Sequence, residues 1–224
     1  MCSHYEGVRN RERFLKHFRA EPPADMGKLD VWPGYEACFI RRHEHADVGD
    51  DAVPEREVML GRYGLIAPWV KELKVVRNTY NARIETVATK PTFRSAWHKA
   101  QHCIVPADAF YEPDYRLNPT RSVPAKIGRA DESPMGIAGL WESWIAPDGR
   151  KILSITMLTI NADDHPLMKN FHKPSDEKRM VVILPEEKYE AWLSASAEES
   201  LDFCMPYPAE KMVATSDVSP GSLL

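Results

Sequence analysis

The second residue of the chain, Cys2, carries chemistry that depends on its position. If Met1 is removed, the chain begins with an aminothiol whose α-amine and thiol have ordinary pKa values of about 7.7–8.0 and about 8.5. An aldehyde reacts with such an amine to give an imine, which the thiol closes to a thiazolidine. Alternatively, the amine serves as base for the thiol in acyl transfer. Taken alone, the position favours an ordinary residue at a frayed terminus.

Other groupings of reactive side chains are weak. The sequence contains no P-loop, Gly-rich dinucleotide motif, GxSxG or HExxH sequence. His43 and His45 lie in a polar segment without a Cys or His partner at zinc-site spacing, which favours solvated loop histidines over a metal site. The run Asp163-Asp164-His165 is typical of a polar turn. The four cysteines form no CxxC pair, so we expect free thiols.

Composition describes a globular protein with a core. Of the 224 residues, 43% are hydrophobic and 28% charged, and no Gly/Ser-rich linker divides the chain. We therefore expect a single domain over residues 1–224, with a core of about 2–193. No apolar run approaches the roughly 18 residues of a membrane helix, and the first residues lack a signal-peptide pattern. The expected location is cytoplasmic.

The charge balance disfavours a protein that coats nucleic acid uniformly. There are 29 lysines and arginines against 33 aspartates and glutamates, a formal net charge of −4. The segment 77–102 is locally basic and permits an anionic partner, although a solvated face is the plainer explanation from charge alone. Its charged residues are Arg77, Arg83, Lys90, Arg94 and Lys99 against Glu85.

Hydrophobic periodicity predicts many strands, few helices and no regular βαβ alternation, which is an α+β pattern. Helices are predicted over 9–20, over 92–100 and after Pro185. Pro106 is expected to interrupt a strand, Ala-Pro-Asp-Gly at 146–149 to form a hairpin turn, and the tail from Cys204 to be irregular. Strands are predicted over 37–41, 58–66, 102–105, 109–112, 125–128, 136–144, 151–160 and 180–184.

A set of short motifs runs in order along residues 2–193, and it resembles the SRAP family (SOS-response-associated peptidase). Each motif alone is weak, but the ordered set with Cys directly after Met is specific. The motifs are Met1-Cys2, Gly64-Leu65-Ile66-Ala67-Pro68-Trp69, Asn81-Ala82-Arg83-Ile84-Glu85-Thr86, Phe93-Arg94, Cys103-Ile104-Val105-Pro106, Phe110-Tyr111-Glu112, Gly139-Leu140-Trp141-Glu142, Thr159-x-Asn161-Ala162, His172 and Arg179-Met180.

The resemblance implies both a fold and an activity. The implied fold is a compact α+β domain with a central barrel-like mixed sheet and flanking helices. The implied activity is recognition of abasic sites in single-stranded DNA and capture of the site as a thiazolidine crosslink on the N-terminal cysteine, a lyase-like reaction. No metal or organic cofactor is implied. We expect a monomer that associates with the nucleoid when it binds DNA.

The resemblance also assigns roles to four residues. Cys2 is the nucleophile. Asn81 holds the Cys2 end and the sugar by hydrogen bonds, since an amide both donates and accepts. Glu112 handles protons during ring opening and imine chemistry. His172 is the main general acid–base and is expected to titrate near the working pH.

Five further residues are candidates for DNA contact. Arg83 pairs with a phosphate, because its planar fork matches that geometry. Trp69 offers a ring on which an unpaired base can stack. Arg77 and Arg94 are further basic candidates. His4 stands where the family commonly has Arg, which predicts a weaker or pH-dependent phosphate contact.

Three other departures from the family pattern lie near these residues. Pro113 follows the Tyr-Glu pair in place of the usual Trp. The usual His-x-Arg-Met-Pro is opened by the charged segment Lys173–Arg179, which we expect to form an exposed loop at the rim of a groove. The segment Trp32-Pro33-Gly34-Tyr35 matches the first DNA-contact loop of the family poorly.

Two alternatives stay open from the sequence. A cysteine peptidase or amidohydrolase, able to remove Met1 from itself, would use the same Cys2 and His172 and would require an oxyanion hole. A non-catalytic single-strand binder would depend on the basic segment 77–102 and on Trp69.

Overall fold

A closed barrel of five strands forms the centre of the molecule. The computed structural model describes residues 2–50, 52–73, 78–116 and 118–216. The barrel closes because each of its five strands pairs with two others. In chain order the barrel strands are β3 (Glu36–Arg42), β4 (Arg56–Tyr63), β6 (His102–Asp114), β8 (Met135–Ile145) and β9 (Lys151–Asn161). β4 and β9 pair in parallel, so the barrel is mixed.

Short strands extend this barrel at its edges. They are β1 (Tyr5–Gly7), β2 (Asp30–Val31), β5 (Asn81–Arg83), β7 (Val123–Arg129), β10 (Arg179–Val181), β11 (Ile183–Leu184) and β12 (Met212–Ser216). β1 pairs antiparallel with β6 and carries the N-terminal residues onto the barrel. β5 and β10 both pair with β9, so residues distant in sequence meet at one end of that strand.

Among the residues that the structure describes, three short α-helices pack around the barrel: α1 (Arg11–Phe18), α2 (Arg94–His98) and α3 (Tyr189–Ser194). α1 begins after Asn10, whose side chain accepts a hydrogen bond from the Arg13 amide at 2.9 Å. Phe14 and Phe18 form its buried face. No helix among the described residues has the length and apolarity to cross a membrane.

The predicted α+β architecture with a barrel-like mixed sheet is confirmed. The 146–149 turn joins β8 to β9 as expected. The interruption expected at Pro106 is wrong, because β6 continues through that residue opposite Gly136, and β8 supports the strand on both sides of it. The expectation of an irregular tail is also wrong for 212–216. These residues form β12, which pairs with β7 and completes an edge that would otherwise be open.

Gly139 on β8 marks the tightest backbone approach in the barrel. A Cβ atom at this position would lie 2.5 Å from the Thr156 carbonyl oxygen and 3.0 Å from Cys103 Sγ. We expect Gly139→Ala to lower the free energy of unfolding by about 2 kcal/mol, because a backbone strand must move to admit the methyl group. Urea denaturation measures this. Gly7→Ala on β1 is the control, because neither glycine has a positive φ and a Cβ atom at Gly7 would meet its nearest neighbour at an ordinary 3.5 Å.

Candidate active site

Cys2 is fully buried and is held at its carbonyl group. Asn81 Nδ2 donates to the Cys2 carbonyl oxygen at 2.6 Å, and the Tyr63 hydroxyl donates to the same oxygen at 2.9 Å. The Cys2 thiol donates to the His4 carbonyl oxygen at 3.4 Å. Strand pairing explains the placement, since Tyr111 N on β6 donates to the same His4 oxygen at 3.0 Å. The N-terminal segment is therefore tied to β4 and β5 at the Cys2 carbonyl group and to β6 at the His4 carbonyl group.

Glu112 and His172 form a buried pair beside Cys2. Glu112 lies on β6, and His172 lies in the connection between β9 and β10. His172 Nδ1 is 3.4 Å from Glu112 Oε2, and its Nε2 is 3.1 Å from the Arg179 carbonyl oxygen. The His172 amide donates to the Pro113 carbonyl oxygen at 2.9 Å, which docks this connection on the end of β6. The backbone at His172 is left-handed, with φ 64°.

This geometry fixes the tautomer of His172. A carbonyl oxygen only accepts hydrogen bonds, so Nε2 carries the proton that it donates to Arg179. The lone pair of the neutral ring is then on Nδ1 and faces Glu112. A protonated Glu112 can donate to that lone pair. Glu112 and His172 can therefore share one proton between Oε2 and Nδ1.

Burial separates the titration ranges of the two groups. It raises the pKa of Glu112 to about 7 and lowers the pKa of His172 to about 4. The imidazole is therefore neutral near pH 7, and the carboxyl group is the one that titrates there. The expectation that His172 titrates near the working pH is wrong on this point. The pKa of His172 is lowered because burial removes water from the ring and so disfavours the imidazolium cation.

The thiol of Cys2 is held in its neutral form. Burial, together with the nearby Glu112 carboxylate, raises the pKa of the Cys2 thiol to about 12. A thiolate is therefore scarce at neutral pH. The arrangement favours a reaction in which the thiol acts as a neutral S–H group and loses its proton as it forms a bond.

The mouth of the site consists of three adjoining cavities. One, of about 330 Å³, reaches Ser3, Trp32 and Glu112. A second, of about 390 Å³, shares Ser3 and Trp32 with it and extends to Thr79. A third, of about 280 Å³, shares Thr79 and ends at Trp69. The three form a track that passes Ser3, the residue after Cys2.

Three of the predicted DNA-contact residues lie exposed on the surface. Trp69 is 62% exposed at the end of the track, and its indole N–H donates to the Pro91 carbonyl oxygen. Arg94 is exposed at the start of α2. Arg83 is exposed and forms a 2.6 Å ion pair with Glu177 from the inserted segment Lys173–Arg179.

His4 and Arg77 are the remaining DNA-contact candidates. His4 stacks between two rings rather than pointing into solvent. Arg77 lies outside the described residues. Within the described ranges, no group of three or more His, Cys, Asp or Glu side chains is arranged to hold a metal ion.

Sequence reasoning missed Tyr63 and Tyr80, and it named Trp32 only within a segment that matches the first DNA-contact loop of the family poorly. Tyr63 ends β4 and shares the Cys2 carbonyl with Asn81. Burial raises the pKa of Tyr80, and its proximity to Cys2 and Glu112 adds to that shift. The available signal was the run of aromatic residues next to Gly34 and Gly64, at the ends of predicted strands.

We expect Tyr63→Phe to slow the reaction at Cys2 by about 10-fold, because it removes one of the two donors that fix the Cys2 carbonyl. The rate of adduct formation with an aldehyde probe measures this. Tyr5→Phe is the matched control. Tyr5 is equally buried and packs edge-on against Tyr63, but its hydroxyl finds no hydrogen-bond partner among the described residues. An equal effect from both variants would contradict the anchoring role.

Comparison with known proteins places this chain in a family. The family model for SOS response associated peptidase (SRAP) matches residues 1–220. A crystal structure from Bordetella bronchiseptica is 48% identical with a TM-score of 0.88, and the match covers 97% of this chain and all of that one.

Two curated relatives carry functional names. "Abasic site processing protein YoqW" of Bacillus subtilis is 35% identical over 156 residues, which is 68% of this chain and 66% of that protein. "Abasic site processing protein HMCES" of Gallus gallus is 26% identical over 84% of this chain and 58% of that protein. The matches thus span about two thirds or less of these relatives. By the family match over nearly its whole length, the chain belongs to the SRAP family.

Proposed function

We propose that this protein captures abasic sites in single-stranded DNA as a thiazolidine on Cys2, after removal of Met1. The observation that carries the proposal is the buried Cys2, anchored by Asn81 and Tyr63 beside the Glu112–His172 pair. The names of the relatives as abasic site processing proteins support the same substrate. We further propose that the protein is cytoplasmic, associates with the nucleoid when it binds DNA, and works as a monomer.

The first half of the reaction forms an iminium ion. The free α-amine of Cys2 attacks the C1′ aldehyde of the ring-opened deoxyribose, which forms a C–N bond and turns the aldehyde oxygen into a hydroxyl group. Protonated Glu112 donates its proton to this hydroxyl, which leaves as water. The pKa of about 7 keeps enough of the acid form near neutral pH for this step.

The second half closes the ring. Cys2 Sγ adds to the iminium carbon, and the thiol proton passes to the Glu112 carboxylate. The C=N electron pair returns to nitrogen, so the product is a neutral thiazolidine and Glu112 regains its proton. His172 orients Glu112 through Nδ1 without changing charge near pH 7. The adduct equals protein plus DNA minus one water.

The DNA strand is proposed to follow the track of three cavities, with Trp69 at one end as a stacking surface for an unpaired base. Arg83 exchanges its Glu177 partner for a phosphate when DNA binds, and Arg94 offers a second cation. The exchange costs an exposed ion pair, which is worth about 0–1 kcal/mol. A single phosphate contact can therefore displace it.

The peptidase alternative is less well supported. It requires a thiolate or a thiol activated by a base, whereas the Cys2 thiol is neutral and its pKa is about 12. The donors Asn81 and Tyr63 point at the Cys2 carbonyl, which lies in the peptide bond to Ser3, so they anchor the residue.

A crosslinking assay tests the proposal. Protein that has lost Met1 is incubated with a single-stranded oligonucleotide carrying one abasic site, and the products are separated under denaturing conditions. We expect a slow-migrating covalent complex. No complex should form with the same oligonucleotide carrying a tetrahydrofuran analogue, which has no aldehyde. Failure to crosslink the aldehyde form, with DNA binding retained, would leave a non-catalytic single-strand binder.

A further inference from the structure

Three aromatic rings stack beside Cys2. The ring of His4 lies between Tyr111 and Trp32, with centroid distances of 4.2 Å on both sides and interplanar angles of 8° and 11°. His4 Nε2 also contacts Asp30 Oδ1 at 2.5 Å, which fixes the orientation of the middle ring. Trp32 ends the stack. One of its faces covers His4, and the side chain is 43% exposed.

The turn that carries Trp32 is rigidly attached to the barrel. The Tyr35 amide donates to the Trp32 carbonyl oxygen at 3.0 Å, which closes the turn. The Gly34 amide donates to the Tyr63 carbonyl oxygen at 2.6 Å, and Arg62 Nη1 donates to the Gly34 carbonyl oxygen at 3.1 Å. Gly34 has a φ of 95°, a conformation that glycine alone adopts readily. The indole is therefore positioned before any ligand binds, which lowers the entropic cost of stacking on it.

Trp32 stands at the boundary of the two cavities nearest Cys2. Ser3, the residue after Cys2, borders both of them together with Trp32. One cavity continues past Arg62, a cation suited to a phosphate, and the other continues to Glu112. We therefore expect the nucleotide next to a sugar held at Cys2 to lie beside the indole.

We propose that Trp32 is a stacking platform for the nucleobase adjacent to the abasic site. This inference rests on the proposed function and extends it to the recognition of the flanking nucleotide. A base beside an abasic site has lost one stacking neighbour, and the exposed indole replaces it as the end of a ready-made ring stack. Because every base has a flat face, the contact tolerates any sequence.

Affinity measurements separate this inference from the capture chemistry. Fluorescence anisotropy is recorded with single-stranded oligonucleotides whose central abasic site is the tetrahydrofuran analogue, so no crosslink forms. In two further oligonucleotides the 5′ or the 3′ neighbour of that site is also replaced by tetrahydrofuran. The variants are Trp32→Ala, Trp32→Phe and Tyr35→Ala. Tyr35 is the matched control, because it lies in the same turn and is 45% exposed.

We expect Trp32→Ala to weaken binding by about 10-fold when both neighbours are present. Removal of one of the two neighbouring bases should lower the affinity of the wild-type protein by a similar factor. The same removal should leave the affinity of Trp32→Ala unchanged. Trp32→Phe should keep most of the affinity, and Tyr35→Ala all of it. The inference would be overturned if Trp32→Ala lost the same affinity relative to the wild type on all three oligonucleotides. It would also be overturned if Tyr35→Ala lost as much affinity as Trp32→Ala. If this pattern appears but the aldehyde form is not crosslinked, only the proposed function fails.

Discussion

Cys2→Ala protein is expected to form no stable covalent complex with abasic single-stranded DNA, because it has no thiol to close the ring. Its α-amine is still present once Met1 is removed, so the reversible imine should form. Borohydride reduction should trap that imine as a stable amine adduct. The comparison of trapped and untrapped samples on denaturing gels therefore tests the order of events, with the amine acting first and the thiol second.

Cys38→Ala is the matched control for this prediction. Cys38 is also buried, its thiol donates to a backbone carbonyl oxygen at 3.4 Å as the Cys2 thiol does, and burial likewise raises its pKa to about 12. It lies away from the Glu112–His172 pair. Crosslinking should be unchanged in this variant. A stable complex formed by Cys2→Ala without borohydride would contradict the thiazolidine chemistry.

Glu112→Gln is expected to lower the crosslinking rate by about 10²–10³-fold, because the amide cannot donate a proton to the leaving hydroxyl group. For the wild-type protein the rate should be bell-shaped in pH. The crosslinking rate should rise with pH as the α-amine loses its proton. It should fall above about pH 7 as the Glu112 carboxyl group loses its proton. The variant should lack the inflection near pH 7. Single-turnover rates between pH 5.5 and 9 measure both effects.

The same substitution should stabilise the fold at alkaline pH. The pKa of Glu112 is raised from 4.5 in the unfolded chain to about 7, so its protonated form is favoured in the folded state. The wild-type protein therefore loses stability as pH rises from about 4.5 to about 7, by up to about 3 kcal/mol. Glu112→Gln avoids that loss. Its melting temperature should exceed that of the wild type at pH 8 and equal it at pH 4.

Glu6→Gln provides a control of opposite sign on the neighbouring strand. Burial raises the pKa of Glu6, but hydrogen bonds from Lys126 and Tyr111 outweigh burial and lower it overall. Its stabilising contribution is thus present at neutral pH and is lost in acid. Glu6→Gln should be less stable than the wild type at pH 8. If Glu112→Gln destabilised the protein at pH 8 as much as Glu6→Gln does, the claim that the folded state favours protonated Glu112 would be contradicted.

Sequence periodicity predicted the elements whose burial pattern is local. The amphipathic α1 and the hairpin of β8 and β9 were expected with bounds close to those observed. β12 was missed because its stability comes from pairing with β7, more than 80 residues earlier. Pro106 was misjudged because the support of β6 by β8 cannot be seen from one strand.

The chemistry of the site was predicted unevenly for the same reason. The family motifs named Cys2, Asn81, Glu112 and His172, and the fold brings all four together. The electrostatics depend on burial, which follows from the docking of the His172 connection against the end of β6. Trp32 and Tyr63 meet the Cys2 segment only because a tight turn and the pairing of β3 with β4 align them.

The most direct test of the central claim is the intact mass of the protein before and after incubation with a single-stranded oligonucleotide carrying one abasic site. We expect a starting mass without Met1 and a product equal to protein plus DNA minus one water, stable without reductant and absent for Cys2→Ala. A processed protein that keeps its starting mass, or an adduct of Cys2→Ala that survives denaturation without reductant, would contradict this chemistry.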